Sequence, residues 1–177
     1  MDTIEKKAIR LLNSLNQFKF PVKVKSIIKE MGIKLEKVDL GEDISGALVI
    51  ENGKPRIGYN TFESEVRQRF TLAHELGHYV LHGKGKDDYL FVDNAKVMFR
   101  TNKTSNQDYK REREANVFAA SLLMPKSLIH EEFKSIEESS NHNLIEDEIV
   151  KEMASKFKVS QIAMTYRLIN LGLIQQF

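Results

Sequence analysis

The most informative segment of the chain is Thr71-Leu72-Ala73-His74-Glu75-Leu76-Gly77-His78-Tyr79-Val80-Leu81-His82. It contains the pattern His74-Glu75-x-x-His78. In a helix, residues four apart lie on one face, with their Cβ atoms roughly 5–6 Å apart. Two imidazoles at that spacing are able to bind one metal ion at about 2.0–2.1 Å, which suits zinc. Glu75 is then placed to accept a proton from a water molecule that the metal activates.

The residues around this motif predict a long helix. Asn60 is a candidate N-cap, and Glu63 lies three residues later, close to the capping-box pattern. Gly83 marks the predicted end of the helix. Gly77 costs a helix about 1 kcal/mol relative to alanine, and we expect it to let a second element approach the metal-bearing face. The alternative interpretation is an ordinary core helix that carries histidines.

A second helix, predicted from Asp108 to Met124, supplies candidates for a third metal ligand. Glu112 lies about 50° from the centre of its apolar stripe and Glu114 about 110° away, taking roughly 100° per residue. We therefore favour Glu112 over Glu114. The alternative role for both glutamates is that they lie in a solvated acidic first turn and complement the helix dipole. This role fits Glu114 better. Asn116, on the same flank as Glu112, is expected to hydrogen-bond a ligand histidine and fix its ring.

Apolar periodicity and turn signals predict the remaining elements. Further helices are expected at Thr3 to Leu15, Val22 to Met31, Ile129 to Ser140, Leu144 to Phe157 and Gln161 to Leu171. Strands are expected at residues 33–38, 45–50 and 56–59, and the last two are joined by a hairpin turn at Asn52-Gly53. The polar stretch from Gly83 to Gln107 is predicted to be a long loop with one short element around Phe91 to Phe99.

Composition limits the class of protein. The chain has 177 residues, of which 41% are hydrophobic, and this suits one domain with a substantial core. The formal net charge is only +2, so we do not expect direct nucleic-acid binding. The absence of cysteine excludes disulfides and thiolate metal sites. No segment resembles a signal peptide or reaches the length of a membrane span, so the sequence predicts a cytoplasmic protein without a membrane partner.

The C-terminal part is predicted to be helical and to pack on the core. We expect a single domain over residues 1–177, with a catalytic core at 1–125 and a helical region at 126–177. Its last two helices, separated by a tight turn at Lys158-Val159, resemble a helix-turn-helix. Two helices joined by a short turn are also common in proteins that do not bind DNA, where they simply pack against the core. Direct DNA contact through these helices is a minor alternative, which would give strongly salt-dependent duplex binding.

Two long motifs resemble the ImmA/IrrE-type metallopeptidases. The first is Arg67-Gln68-Arg69-Phe70-Thr71-Leu72-Ala73-His74-Glu75-Leu76-Gly77-His78. The second is Glu112-Arg113-Glu114-Ala115-Asn116-Val117-Phe118-Ala119-Ala120-Ser121-Leu122-Leu123-Met124-Pro125. The Ser45-Gly46 hairpin and the segment from Phe157 to Gly172 are also similar to that family's layout, so the resemblance covers most of the chain.

The resemblance implies an α+β, zincin-like metallopeptidase core with a small antiparallel sheet and a helical C-terminal part. It implies a gluzincin-type site with zinc held by two histidines and one glutamate, and the family's glutamate-x-x-x-asparagine/aspartate element falls on Glu112 and Asn116. The expected function is that of a site-specific protease acting on a protein substrate. The expected substrate is a helix-turn-helix transcriptional repressor of a mobile element or stress response, which makes the protein an anti-repressor.

The predicted site therefore has His74, His78 and Glu112 as metal ligands and Glu75 as general base. An oxyanion donor is also expected, and Tyr79, His82, Tyr166 and Arg167 remain open as candidates. His82 is either a packing residue at the helix end or an alternative metal ligand. The competing functional hypothesis is a regulatory protein that captures a repressor without cutting it and whose zinc site is structural or vestigial.

Overall fold

A computed structural model describes residues 3–41, 43–94, 106–139 and 145–175. Seven α-helices and four strands occupy these ranges. The helices are α1 (Thr3–Ser14), α2 (Val24–Glu30), α3 (Glu65–His78), α4 (Asn106–Leu123), α5 (Lys126–Ser139), α6 (Glu146–Phe157) and α7 (Gln161–Asn170). The strands are β1 (Lys34–Val38), β2 (Ile44–Glu51), β3 (Lys54–Asn60) and β4 (Tyr89–Asn94). The predicted α+β class is therefore confirmed.

The four strands form one sheet in the order β1-β3-β2-β4. The predicted β2–β3 hairpin is present, and Gly53 adopts the positive φ of +70° that its tight turn requires. The sheet is mixed rather than wholly antiparallel, because β1 lies beside β3 and runs parallel to it. β4 pairs antiparallel with β2. It begins two residues before the short element expected around Phe91, and residues 95–105 of the predicted loop lie outside the described residues.

The helix that carries the histidine motif starts later than the sequence predicted. Ser64, not Asn60, is its N-cap, and the Ser64 hydroxyl accepts a hydrogen bond from the backbone N–H of Arg67. Asn60 instead ends β3, where its side chain accepts from the N–H of Phe62 and donates to the carbonyl of Gly41. The expectation failed because asparagine stabilises tight turns by the same kind of bond with which it caps helices.

The α-helix ends at His78, before the predicted stop at Gly83, and a π-helical turn then extends to Gly83. In this wider turn, Tyr79–Gly83, the N–H of Lys84 donates to the carbonyl of Tyr79. Such turns are rare in proteins, and those that do occur are often found at functional sites. In the described part of the chain, no helix has both the length and the apolar character needed to span a membrane.

α4 packs directly against α3, and Gly77 makes this possible. A Cβ atom at Gly77 would lie 3.2 Å from the Cα and the carbonyl oxygen of Ala115 and 3.2 Å from the Phe118 ring. Side chains tolerate such contacts poorly, so only glycine allows the two backbones to approach this closely. This confirms the expectation that Gly77 admits a second element.

Two arginines attach the C-terminal helices to the rest of the described chain. Arg69 on α3 donates to the carbonyls of Lys158, Phe157 and Val22. Arg167 on α7 donates to the carbonyl of Met124, 3.0 Å away, and pairs with Glu5 at 2.7 Å. Because both arginines bond main-chain atoms or a largely buried carboxylate, the α6–α7 pair has a defined position relative to α3 and α4.

Candidate metal centre

The candidate metal centre lies at the contact between α3 and α4. His74, Glu75 and His78 are fully buried on α3, as expected for the face of a helix that packs on its neighbour. Across from them, α4 contributes Glu112 and Asn116, which are one helical turn apart. Burial of three polar side chains at one helix contact is costly unless they bind their neighbours or a ligand.

The nitrogen and oxygen atoms of three residues converge on one point. Nε2 of His74 and Nε2 of His78 are 3.0 Å apart, and each lies 3.4 Å from a different carboxylate oxygen of Glu112. Ligands about 2.0–2.1 Å from a tetrahedral zinc ion lie about 3.3 Å from one another. The donor set thus has the chemistry and the spacing of a three-ligand zinc site, and among the described residues it is the only such group of three.

The protonation states also suit metal binding. Burial lowers the pKa of His78 to about 4; the hydrogen bond that the ring donates to Glu112 opposes this effect, and the nearby His74 adds to it. For Glu112, burial would raise the pKa, but hydrogen bonds and charge from His74 and His78 outweigh it and lower the pKa to about 2. A neutral imidazole and an ionised carboxylate are the forms that bind a metal ion.

Asn116 fixes the ring of His74. Its Oδ1 lies 3.0 Å from Nδ1 of His74, on the opposite side of the ring from the convergent Nε2 atoms. An amide oxygen can only accept, so this contact places the histidine proton on Nδ1 and leaves Nε2 free to bind a metal. The structure therefore brings Asn116 to the position that its spacing from Glu112 indicated.

Glu75 lies under the sheet, against Gly46 of β2. A Cβ atom built on Gly46 would lie 3.2 Å from Oε1 of Glu75 and 2.5 Å from Cγ2 of Thr71. No larger residue fits at Gly46 unless Thr71 and Glu75 move. The carboxylate is thus held between α3 and β2, one residue from the first histidine.

Two residues of β4 complete the surroundings, and no sequence motif marks either of them as part of the site. Phe91 stacks on the ring of His78 with centroids 3.6 Å apart. Tyr89 shares the inward face of β4 with Phe91, because the two residues pair with the buried Ile50 and Leu48. Burial raises the pKa of Tyr89; Arg111 opposes this rise, and Glu75 and Glu112 add to it. Tyr89 is therefore protonated at neutral pH and within electrostatic reach of both carboxylates.

The alternative candidates from the sequence, for the third metal ligand and for the oxyanion donor, lie outside the group of three converging donors. Glu114 lies 3.4 Å from Nε2 of His82, and neither belongs to the group of three donors. Arg167 is engaged by Glu5 and the Met124 carbonyl, and Tyr166 is largely exposed on α7. Tyr79 lies half-buried against the core in the π-helical turn. The partners of Arg167 remove it from the candidates for an oxyanion donor.

An α+β fold in which two histidines of an H-E-x-x-H helix face a glutamate of a second helix defines a metallopeptidase-type protein. The sequence profile of the peptidase M78 family, described as the IrrE N-terminal-like domain, matches residues 28–169. The chain belongs to this family, which confirms the predicted ImmA/IrrE-type resemblance.

The chain is similar to one curated protein in sequence and to one solved structure in fold. Metallopeptidase ImmA of Bacillus subtilis (strain 168) is 29% identical over 152 residues, covering 79% of this chain and 83% of that protein. A solved structure described as a Mycobacterium tuberculosis transcriptional regulator superposes with a TM-score of 0.61 at 12% identity and covers 96% of this chain. This chain spans 47% of the length of that structure, and the likeness shows the fold alone.

Proposed function

We propose that this chain is a zinc-dependent, site-specific endopeptidase. The observation that carries the proposal is the convergence of His74, His78 and Glu112 beside the buried carboxylate of Glu75. Three protein ligands leave a fourth position open, which is the arrangement of catalytic rather than structural zinc sites. The family membership supports the same class of activity.

Each residue of the site has a role in this proposal. His74, His78 and Glu112 hold zinc, and Asn116 orients His74. Zinc bound there lowers the pKa of a water molecule toward neutrality and polarises the scissile carbonyl. Glu75 accepts the proton of the attacking water and delivers it to the leaving nitrogen. The phenol of Tyr89 donates a hydrogen bond to the oxygen on which negative charge develops.

The sheet offers a way to hold an extended substrate. Neither strand of the β2–β3 hairpin lies at an edge of the sheet, because β1 and β4 are its edge strands. Within the described residues β4 pairs on one side only, with β2. A peptide that pairs with the opposite edge of β4 runs past Phe91. The ring of Phe91 stacks on that of the proposed metal ligand His78.

The substrate that we favour is a helix-turn-helix transcriptional repressor, as the family resemblance implies. This substrate makes the protein an anti-repressor and places its reaction in the cytoplasm. We also infer that residues 126–177 form a helical region packed on a catalytic core of residues 1–125, in keeping with the bonds of Arg69 and Arg167.

The direct test is to incubate the purified protein with a purified helix-turn-helix repressor and analyse the mixture for fragments. We expect discrete fragments with the wild type, and none after chelation or with Glu75→Gln. A stable complex without fragments, at full zinc occupancy, would instead support a regulatory protein that captures the repressor without cutting it.

A further inference from the structure

The outer face of α7 carries two apolar side chains that the fold does not bury. Met164 and Leu168 on the inner face of α7 are fully buried. On the other side, Ile162 and Tyr166 are 71% and 66% exposed. They are four residues apart on the helix and therefore adjacent on its surface. A pair of large exposed apolar side chains on a well-packed helix is a feature of interaction surfaces.

A cleft lies beside this pair, between α7 and the start of α6. Its volume is about 420 Å³, and it is lined by Ile162 and Thr165 on one side and by Asp147, Glu148 and Lys151 on the other. Two carboxylates against one ammonium group give the cleft a net negative edge. The α6–α7 surface, defined as Ile162, Tyr166 and this cleft, is thus apolar in the middle and acidic on the α6 side.

This charge distribution disfavours DNA as the occupant. In a helix-turn-helix protein, the second helix enters the major groove and needs free cations for the phosphates. Arg167 is the only charged residue of α7, and Glu5 and the Met124 carbonyl already engage its guanidinium. The acidic first turn of α6, Glu146 to Glu148, would repel a phosphate backbone.

We propose that the α6–α7 surface docks an amphipathic, positively charged helix of the protein substrate, at a site separate from the metal centre. Apolar residues of such a helix, spaced three or four apart, cover Ile162 and Tyr166. Its lysine or arginine side chains reach Asp147 and Glu148, and this pairing sets the orientation. Binding as such does not depend on the proposed peptidase function; only the subsequent cleavage of the docked protein rests on it.

The position of this surface suits a docking site for a peptidase. The Arg69 bonds to Lys158 and Phe157 join the α6–α7 turn to α3, five residues before His74. The Arg167 bond to Met124 joins α7 to the end of α4. A protein held on α7 is therefore held at a constant distance from the metal centre, and this raises the effective concentration of its cleavage segment there.

The test uses two fluorescently labelled synthetic helices with the same apolar stripe. One has lysines and the other glutamates on its polar face, and binding to the full-length protein is followed by anisotropy. We expect the basic helix to bind at least about tenfold more tightly than the acidic one. Since the whole chain is net +2, non-specific attraction would favour the acidic helix, so the preference itself is informative.

The variants locate the site. We expect the double variant Ile162→Ser/Tyr166→Ser and the single variant Asp147→Lys each to weaken binding of the basic helix about tenfold. The matched controls are Phe62→Ser, which removes another highly exposed apolar side chain, and Glu138→Lys, which reverses an exposed charge on α5. Both controls should bind as the wild type does. Unchanged melting temperatures would show that the variants are folded.

Three outcomes would overturn the proposal: equal binding by the double variant, tighter binding of the acidic helix, or tighter binding of a DNA duplex than of either peptide. Chelator-sensitive cleavage of a repressor without any helix binding would refute docking but leave the peptidase function intact. Helix binding that the variants abolish, in a protein that cleaves nothing, would support docking and refute the peptidase function.

Discussion

The amide oxygen of Asn116 lies 3.0 Å from Nδ1 of His74 and thereby connects α4 to the motif on α3. This contact fixes the ring orientation of one metal ligand. We expect Asn116→Ala to weaken zinc affinity about 10–100-fold, because partners of ligand histidines contribute about that much. Competition with a fluorescent chelator measures the change. Asn116→Asp, which retains an acceptor oxygen, should recover most of the affinity, and equal loss in both variants would contradict the orienting role.

Glu75→Gln should bind zinc as the wild type does and lose hydrolysis. Glutamine fills the same buried space, but it cannot accept the proton of the attacking water, and general bases contribute about 10²–10⁴-fold to the rate. Zinc content and fragment formation are measured on the same preparation. A fully active variant would refute the assignment of Glu75 as base.

Gly46→Ala should reduce hydrolysis strongly while leaving the zinc ligands in place. The added methyl group would lie 2.5 Å from Thr71 and 3.2 Å from the Glu75 carboxylate, so it must displace the proposed base. Gly58→Ala is the matched control, because its methyl group would meet only Val38, at 3.4 Å, in the same sheet. If the two variants lose activity to the same extent, the contact of Gly46 with Glu75 is not what matters.

Tyr89→Phe should lower kcat about 10²-fold and change KM little. The ring and its packing are retained, and only the hydroxyl that would donate to the developing oxyanion is removed. Lys86, whose ammonium group lies 4.3 Å above the Tyr89 ring, still has an aromatic ring to contact. A pure KM effect would show that Tyr89 contributes to substrate binding rather than to the chemical step.

The metal-free protein should lose stability as the pH falls from about 7.5 to about 5. Unfolded His78 takes up a proton near its ordinary pKa of 6.5, whereas folded His78 does so only near 4. The unfolded state is therefore favoured by about 2 kcal/mol over this range. Glu112 does not contribute in this window, because its stabilising effect is lost only below its ordinary pKa of 4.5. Urea unfolding at both pH values measures the slope.

His78→Gln should show a smaller decrease of stability over the same pH range. Some slope will remain, because burial lowers the pKa of His82 in the same direction. An unchanged slope in the variant would mean that His78 has the same pKa in the folded and unfolded states, which would contradict the lowered pKa.

The part of the candidate site that could be predicted from the sequence is the part that depends on helical periodicity. Helical geometry alone placed Glu112 on the inward flank of α4 and Asn116 one turn later, and both lie opposite His74 in the structure. The spacing of the apolar residues carries this information directly. The hairpin at Asn52-Gly53 could also be predicted from the sequence, because its tight turn has strict backbone requirements.

The sequence did not indicate the contacts that depend on tertiary packing. Phe91 and Tyr89 lie in a polar stretch that resembles a loop, and only pairing with β2 brings them to His78 and the carboxylates. The Asn60 cap failed for a related reason, since the same side chain can stabilise a turn or a helix start and the fold decides between them.

The most direct test of the metal centre is elemental analysis of the wild type, Glu112→Ala and Glu114→Ala, purified without added zinc. Glu114 is the matched control, because it lies on the same turn of α4 but pairs with His82 instead. We expect about one zinc ion per chain in the wild type and in Glu114→Ala, and little in Glu112→Ala. Undiminished zinc in Glu112→Ala, or a wild type that binds none after reconstitution, would contradict the proposed site.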